Sequence, residues 1–215
     1  MGIERSELIA TIRACVDQLA DLPVDDLAGR DAAEQLLELD CLAGRITGLT
    51  AQVVRVVELD GWWGLGGARS LSSWLAVSGH MTHVRARSLV RLGRSFAAEL
   101  AATGQAVVQG DLPLDHAQAL ARHATTSQAR RDALEDAESD CGEDFLIGHG
   151  QSLGADAFSS LVKRWAVAAD PDSDERGYVA ASEREFVTLA ETTGGMFVRG
   201  FLTMEHGACL RSALE

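Results

Sequence analysis

The chain has 215 residues and a formal net charge of -13, with 32 acidic residues against 19 Lys and Arg. A chain of this length can bury a sizeable core as one large domain or two small ones. The acidic balance argues against bulk adhesion to nucleic acids or anionic membranes, so any polyanion must meet a local basic surface. Only three prolines occur, which favours long uninterrupted helices.

The four cysteines lie far apart without a C-x-x-C pair, at positions 15, 41, 141 and 209. A chain of this size needs no disulfide scaffold, so the sequence predicts reduced thiols that fill the core. The N-terminus has no signal-peptide pattern, and no apolar run is long enough to span a bilayer. We therefore expect a soluble, cytoplasmic protein without a membrane partner.

Two amphipathic helices are predicted in the N-terminal region. The first ends before Pro23 and carries apolar residues at helical spacing, namely Ile3, Leu8, Ile9, Ile12, Val16 and Leu19. The second runs from about Asp31 to Glu58 and would be roughly 40 Å long. Its apolar residues alternate by three and four positions, the pattern of a seam that faces a partner helix. This seam consists of Leu39, Leu42, Ile46, Leu49, Val53 and Val56. We expect this helix to be the spine of the fold and to pack lengthwise against several others.

Capping residues and glycines divide the rest of the chain. Ser70 or Ser72 can cap a short helix, and Thr82 can cap one that runs to about Ala102 with Gly104 as its stop. The predicted inward face of that helix is Ala86, Leu89, Val90, Gly93, Ala97 and Leu100. Further helices are expected over residues 115–123, 127–139 and 155–169. Two alternating segments around residues 192–195 predict a β-hairpin, and a last helix starts near 204 and is still amphipathic at 215, as if cut inside an element.

The predicted fold class is mainly α, a multi-helix bundle with one long spine helix and a small C-terminal β-hairpin. We expect a helical domain over residues 1–169 and a charged, exposed linker over 170–184. Residues 185–215, the hairpin and the start of a helix, are expected to belong to the same domain.

The segment from Gly61 to Ala98 contains no Asp or Glu, although the chain as a whole is acidic. It holds five arginines, Arg69, Arg85, Arg87, Arg91 and Arg94. The last three share one face of the predicted helix. Guanidinium groups match phosphate oxygens bidentately, which makes these arginines a candidate nucleic-acid site. That candidate site comprises Arg69, His83, Arg87, Arg91 and Arg94. The alternative is that the arginines are neutralised in an ion-pair network by Glu38, Asp40 and Glu58.

Three segments resemble a known family: DGWWGLGGARSLSSWLA at 60–76, ARSLVRLGR at 86–94 and GDLPLDHA at 110–117. Over essentially its whole length the chain is similar to the actinobacterial family called domain of unknown function 222, or thirteen-E-twelve repeat family. The resemblance implies an N-terminal helical domain that commonly precedes an HNH endonuclease module. Such a module needs a His-Asn-His constellation that activates water and holds a metal, and the six histidines of this chain lack that setting.

Four weaker patterns are better explained without function. A helix-turn-helix over residues 71–89 would place Ser78, His80, Arg85 and Ser88 where the motif requires apolar packing. The pair His80 and His83 supplies fewer ligands than zinc needs. A calcium-loop spacing at Asp172, Asp174, Gly177 and Glu183 is spoiled by Arg176 at a ligand position. Asp115 and His116 resemble half of a catalytic dyad, but Asp115 as a helix cap accounts for them.

Two functions of different classes follow from the sequence. The first is a non-catalytic N-terminal helical domain of an HNH-endonuclease-like protein that engages or positions nucleic acid, with DNA as the candidate partner, through the arginine-lined helix. Any nuclease activity would then reside in a further C-terminal module. The second is a protein-interaction or dimerisation module that self-associates through the long helix and binds no nucleic acid. We expect no catalytic residues, metal, cofactor or small-molecule substrate in this chain.

Overall fold

The computed structural model describes residues 4–25, 27–136, 140–173, 177 and 182–214. It is mainly helical with a C-terminal antiparallel hairpin, as predicted. The elements in chain order are α1 (Arg5–Ala20), α2 (Gly29–Asp60), a 3₁₀ turn (Trp62–Gly64), α3 (Leu71–Ser78), α4 (His83–Phe96), α5 (Ala101–Gln109), α6 (Leu114–His123), α7 (Gln128–Glu135), α8 (Glu143–Gly150), α9 (Ala155–Ala169), β1 (Phe186–Thr192), β2 (Gly195–Phe201) and α10 (Met204–Leu214). No helix in these ranges combines the length and apolar character needed to cross a membrane.

Helix α4 lies at the centre of the core, packed against α2, α3, α5 and α6. Its N-cap is Thr82, as predicted, and the Thr82 hydroxyl accepts a hydrogen bond from the Arg85 amide at 3.2 Å. Of the predicted inward face, every residue is buried except Ala97, which follows the helix end. The helix stops at Phe96 and not near 102, and Gly104 lies inside α5 instead of ending a helix. A Cβ on Gly104 would lie 2.8 Å from Cγ of Phe96, so this glycine makes room for the phenyl ring.

A second part of the core forms where α6 and α8 pack against α9. The fully buried side chains there include Leu112, Leu120, Leu146, Phe158 and Val162. Helix α6 begins one residue before Asp115, with Pro113 in the N-cap position, so the prediction that Asp115 caps it is wrong. Ser127 does cap α7, which ends at Glu135; residues 137–139 of the longer predicted helix lie outside the described ranges.

Helix α2 runs for 32 residues, but only one side of its second half is buried. The buried residues are Gly48, Ala51 and Val54, whereas all six residues of the predicted seam are exposed. The prediction that this helix packs against several others is confirmed, since α2 contacts α4, α5 and α6, but the prediction that the seam faces a partner helix is wrong within the described ranges. The small residues opposite the seam allow closer approach: a Cβ on Gly48 would lie 2.9 Å from a methyl of Val107. The face of α2 with the smaller side chains packs against the core, because it allows neighbouring helices to approach more closely than the face with the large apolar side chains.

Two other surface predictions are also corrected. All four cysteines are exposed, because Cys15, Cys41 and Cys209 lie on helical surfaces that the core does not use and Cys141 lies in a turn. Asp170, predicted to begin an exposed linker, is only 3 % exposed. The start of that linker is held against the domain by Arg130, whose guanidinium donates to the Ala166 carbonyl at 2.9 Å and the Ser173 hydroxyl at 2.8 Å.

The hairpin pairs Phe186 with Phe201 at its open end and Thr192 with Gly195 at its turn, and every strand residue is exposed. One carboxylate joins the hairpin to α10. Glu185 accepts hydrogen bonds from the Thr203 amide at 2.5 Å and from Nδ1 of His206 at 2.8 Å. The hydrogen bond from Thr203, with a smaller contribution from His206, lowers the pKa of Glu185 to about 2.

Candidate nucleic-acid interface

The predicted site residues lie in the loop before α3 and along α4. Arg69 is exposed in that loop, and His83 is the exposed first residue of α4. Arg87 and Arg91 are exposed on the outer side of the same helix. Nε of Arg87 donates to the His83 carbonyl at 3.3 Å, so this side chain lies along its own helix. Neither Arg87 nor Arg91 forms an ion pair with any carboxylate in the described part of the chain, so both retain an available charge.

Arg94 behaves differently, because it is paired with Glu58 at the end of α2. Nε and Nη2 of Arg94 donate to one Glu58 oxygen at 2.8 and 2.5 Å, and Arg55 donates to the other at 2.8 Å. The hydrogen bond from Arg94 lowers the pKa of Glu58 against the opposing effect of burial, and Arg55 adds to it. The ion-pair alternative is therefore correct for Arg94. Glu38 and Asp40, the other predicted partners, form no ion pair with these arginines within the described ranges.

Packing of α6 and α9 beside α4 brings further positive charges to the arginine stripe. His123, at the end of α6, has a pKa that is lowered first by burial and then by Lys163, Arg122, Arg130 and Arg91. These four cations come from four different helices, yet each is close enough to affect one imidazole. Arg130 is engaged with carbonyl and hydroxyl groups, whereas Arg122 and Lys163 are exposed. Arg85 lines a groove together with Arg122 and so belongs to the same surface.

This groove has a volume of about 410 Å³ and lies between α2, α4 and α6. Arg85 and Arg122 both line it, together with leucines and with the other polar residues Thr47, Thr50, Thr82, Ser88 and Gln118. We call the exposed cations that line this groove or act on His123 the basic face, which comprises Arg85, Arg91, Arg122 and Lys163. An anion in the groove would meet two guanidinium groups from two different helices.

Sequence reasoning missed Arg122 and Lys163 as members of this surface. Each belongs to a basic pair in the sequence, Arg122-His123 and Lys163-Arg164. These pairs were the only local pattern that could have indicated a basic surface there. Their proximity to Arg91 depends on α6 lying against both α4 and α9. That packing is a long-range property that local periodicity does not contain.

The burial of α4 argues against the helix-turn-helix interpretation. Helices α3 and α4 do pack together across a short turn. The second helix of such a motif must enter the major groove of DNA, but α4 is covered by four other elements and half of its residues are buried. The exposed cations of the basic face have the chemistry to pair with phosphate groups, a type of contact that carries no base-sequence information.

Asp115 and His116 do not form a dyad. The Asp115 side chain lines a cavity against α2, whereas His116 is 3 % exposed and lies against the Phe158 ring at 4.5 Å between centroids. Nε2 of His116 is 2.8 Å from the Leu153 carbonyl oxygen, so it carries the proton and donates to that carbonyl. This histidine links α6 to the end of α8 inside the core.

His80 occupies a left-handed position in the backbone turn that ends α3. It is the only residue other than glycine with a positive φ in the described ranges, at 48°, and it closes α3 through a hydrogen bond from the Met81 amide to the Ala76 carbonyl at 3.1 Å. Such closures usually place glycine at the left-handed position. Across the described residues, no three His, Cys, Asp or Glu side chains form a group that could hold a metal. The calcium-loop pattern lies partly outside the described ranges.

Replacing His80 with glycine is expected to stabilise the protein. Glycine adopts the left-handed conformation without the steric cost that a side chain incurs, so we expect His80→Gly to raise the free energy of unfolding by about 0.5–1 kcal/mol. Urea denaturation of the two proteins measures this. The adjacent change Gly79→Ala is the contrast, because its Cβ would lie 2.8 Å from the Leu75 carbonyl oxygen; a loss of stability in His80→Gly would contradict the backbone role.

Comparison with known proteins places the chain in a family. No curated protein and no solved structure shows significant similarity to it. The family model described as Domain of unknown function (DUF222) matches residues 33–215. Because the match covers most of the chain, from early in α2 through the last helix, this protein belongs to the DUF222 family.

Proposed function

We propose that this chain binds nucleic acid through phosphate contacts on the basic face. The observation that carries the proposal is the convergence of Arg91, Arg122 and Lys163 from three helices around the half-buried His123. In a protein of net charge -13, like charges gathered in this way cost free energy unless an anion offsets their repulsion. The acidic remainder of the molecule restricts a polyanion to this surface.

The binding is sequence-independent, because phosphate groups are the same in every sequence. No exposed helix in the described ranges is free to enter a groove from the basic face, since α4 is part of the core. A chain that holds nucleic acid in this way is suited to positioning it for a catalytic partner. The resemblance to domains that precede an HNH module supports the further proposal that this partner is an HNH nuclease acting in the cytoplasm.

The test is a fluorescence-anisotropy titration of labelled duplex and single-stranded DNA at two salt concentrations. We expect weak binding that falls steeply with salt, because each phosphate contact releases counterions. The triple variant Arg91→Ala, Arg122→Ala, Lys163→Ala should reduce the slope of log K against log salt by about 0.9 for each duplex phosphate that it no longer neutralises. Its affinity at low salt should fall by at least about tenfold.

The matched control removes the same charge elsewhere. Arg5, Arg13 and Arg30 lie on α1 and at the start of α2 and are exposed, so their replacement by alanine changes the net charge equally without touching the basic face. The control should bind like the unaltered protein. Absence of binding at low salt, or an equal loss in the control, would refute the proposal.

A second readout locates the contact. Because nearby positive charges add to the effect of burial in lowering the pKa of His123, a bound polyanion should raise that pKa. Imidazole resonances recorded by NMR across a pH titration, with and without DNA, measure the change. The exposed His149 on α8, a helix that contributes no residue to the groove, serves as the internal reference, and an unchanged His123 in the presence of saturating DNA would place the binding elsewhere.

A further inference from the structure

The groove between α2, α4 and α6 carries two guanidinium groups that no residue in the described ranges engages. Arg85 lines it from α4 and Arg122 lines it from α6. Neither side chain forms an ion pair or donates a hydrogen bond to a residue that the structure describes, and no carboxylate is among the residues that line the groove. Its volume of about 410 Å³ lies in the range of small-ligand sites. The groove is therefore suited to a small anion, which guanidinium groups from two helices can hold.

The wall of the groove on α2 can only accept hydrogen bonds. The Thr47 hydroxyl donates to the Ala43 carbonyl at 2.9 Å. The Thr50 hydroxyl donates in the same way to the Ile46 carbonyl at 2.8 Å. Because a hydroxyl has one proton, these two oxygens have only lone pairs left for a ligand. A ligand that uses this wall therefore brings its own hydroxyl or amino groups in addition to its negative charge.

The walls on α4 and α6 supply hydrogen-bond donors besides the two arginines. Ser88 and Gln118 line the groove from these helices, and neither side chain forms a hydrogen bond with a described residue. The Thr82 hydroxyl accepts a hydrogen bond from the Arg85 amide at 3.2 Å, so its own proton remains available. The donors of the groove thus lie on one side and the acceptors on the other.

The groove also has an apolar part. Leu89 and Leu92 line it and are 7 % and 2 % exposed, and the half-buried Met81 and Leu114 line it as well. Contact with these side chains favours a ligand that has an apolar face to bury. A ligand that fits the groove therefore combines an anion, hydrogen-bond donors and an apolar face.

A nucleoside phosphate has all three features. Its phosphate matches the two guanidinium groups, its sugar hydroxyls or base amino group can donate to the threonines of α2, and its base has a π-face that packs on apolar side chains. Inorganic phosphate lacks the apolar face, a sugar phosphate lacks a flat apolar ring, and a fatty acid lacks the donors. A terminal phosphate carries a charge of about -1.5 to -2 at pH 7, more than the single charge of each phosphate within a strand.

We propose that this groove binds a terminal nucleoside phosphate, with the phosphate between Arg85 and Arg122 and the nucleoside against α2 and the leucines. Two sources share this chemistry, a free nucleotide and the phosphorylated end of a nucleic-acid strand. The second source rests on the function proposed above. A strand end fits the groove better than an internal phosphate, because the chain continues from only one side of it.

The strand-end source is tested by fluorescence anisotropy with two single-stranded DNA oligonucleotides of one sequence, one with a terminal phosphate and one with a terminal hydroxyl. We expect the phosphorylated strand to bind at least about tenfold more tightly, because charge-assisted hydrogen bonds form only with its terminal phosphate. Arg85→Gln combined with Arg122→Gln should abolish this preference. Arg91→Ala combined with Lys163→Ala should weaken both strands equally and keep the preference, since these residues do not line the groove.

The free-nucleotide source is tested by isothermal titration calorimetry with adenosine monophosphate, with inorganic phosphate and adenosine as comparison probes. We expect adenosine monophosphate to bind at least about tenfold more tightly than either probe. Its binding by a protein that binds neither oligonucleotide would support the groove and refute the nucleic-acid function. Equal affinity for the two strands, together with no binding of adenosine monophosphate, would overturn the groove proposal and leave the nucleic-acid function standing.

Valine substitution tests where the nucleoside lies. Thr47→Val combined with Thr50→Val keeps the side-chain shape and removes both acceptors, so affinity for adenosine monophosphate should fall by about fivefold for each hydrogen bond lost, with inorganic phosphate unaffected. Thr11→Val is the matched control, because the Thr11 hydroxyl makes the same kind of bond to the Glu7 carbonyl at 2.9 Å on α1. Unchanged affinity in the double variant would overturn the placement of the nucleoside against α2.

Discussion

Substitution of Gly93 by alanine is expected to destabilise the protein by about 1–3 kcal/mol, despite the better helix propensity of alanine. The new Cβ would lie 2.5 Å from the Ala51 carbonyl oxygen and 3.3 Å from Cβ of Val54. The first of these is a backbone atom, so relief requires that α2 and α4 separate. Their contact is the most extensive between any two of the described helices, and chemical denaturation should show the loss of stability as a lower midpoint.

Gly148→Ala is the matched control for this substitution. Gly148 lies inside α8, is exposed, and has no atom within 4 Å of the position a Cβ would take. Alanine there should raise the free energy of unfolding by up to about 1 kcal/mol, because it restricts the unfolded chain and favours the helix. Similar effects at the two positions would show that the crossing of α2 and α4 is looser than the structure indicates.

Replacement of Phe158 by alanine is expected to cost about 3–5 kcal/mol of unfolding free energy. Phe158 has no exposed surface and contacts the ring of His116 where α6 meets α9. Removal of the phenyl ring leaves a cavity lined by rigid helices and exposes the buried imidazole to a void. The same helices carry Arg122 and Lys163, so DNA affinity should weaken together with stability.

Phe197 in the hairpin is the exposed phenylalanine with which Phe158 is compared. Phe197 is 61 % exposed on β2, and Phe197→Ala should change the free energy of unfolding by less than about 1 kcal/mol. Thermal denaturation of both variants, followed by the helical circular dichroism signal, separates the two effects. A mild Phe158→Ala would mean that the packing of α6 against α9 does not hold the domain together.

The sequence predicted the elements best where local chemistry decides them. The Thr82 cap, the inward face of α4 and the position of the hairpin all follow from hydrogen-bonding groups, helical period and alternation within a few residues. The burial of α2 could not be predicted in the same way. Its strongest apolar pattern is the seam, but glycine and alanine on the other side permit closer approach to α4 and α5, so the small face of the helix lies inward.

The candidate site was likewise predicted only in part. Arg87 and Arg91 followed from one helical stripe without neighbouring acids, and the structure leaves both exposed. Arg94 is instead engaged by Glu58, which is 36 positions away, and Arg122 and Lys163 join the surface through the packing of α6 and α9. Both differences come from residues that are distant in sequence and close in space, where local patterns give no distances.

The carboxylate of Glu185, which joins the hairpin to α10, has a consequence for acidic media. With a pKa near 2 in the folded chain and an ordinary value of 4.5 when released, Glu185 favours the joined arrangement at every pH above the ordinary value. The stabilisation by Glu185 declines as the pH falls from 4.5 toward about 2, where the carboxylate of the folded chain becomes protonated. The junction should thus survive the mildly acidic conditions that protonate ordinary surface carboxylates, and the C-terminal helix should keep its orientation to the strands there.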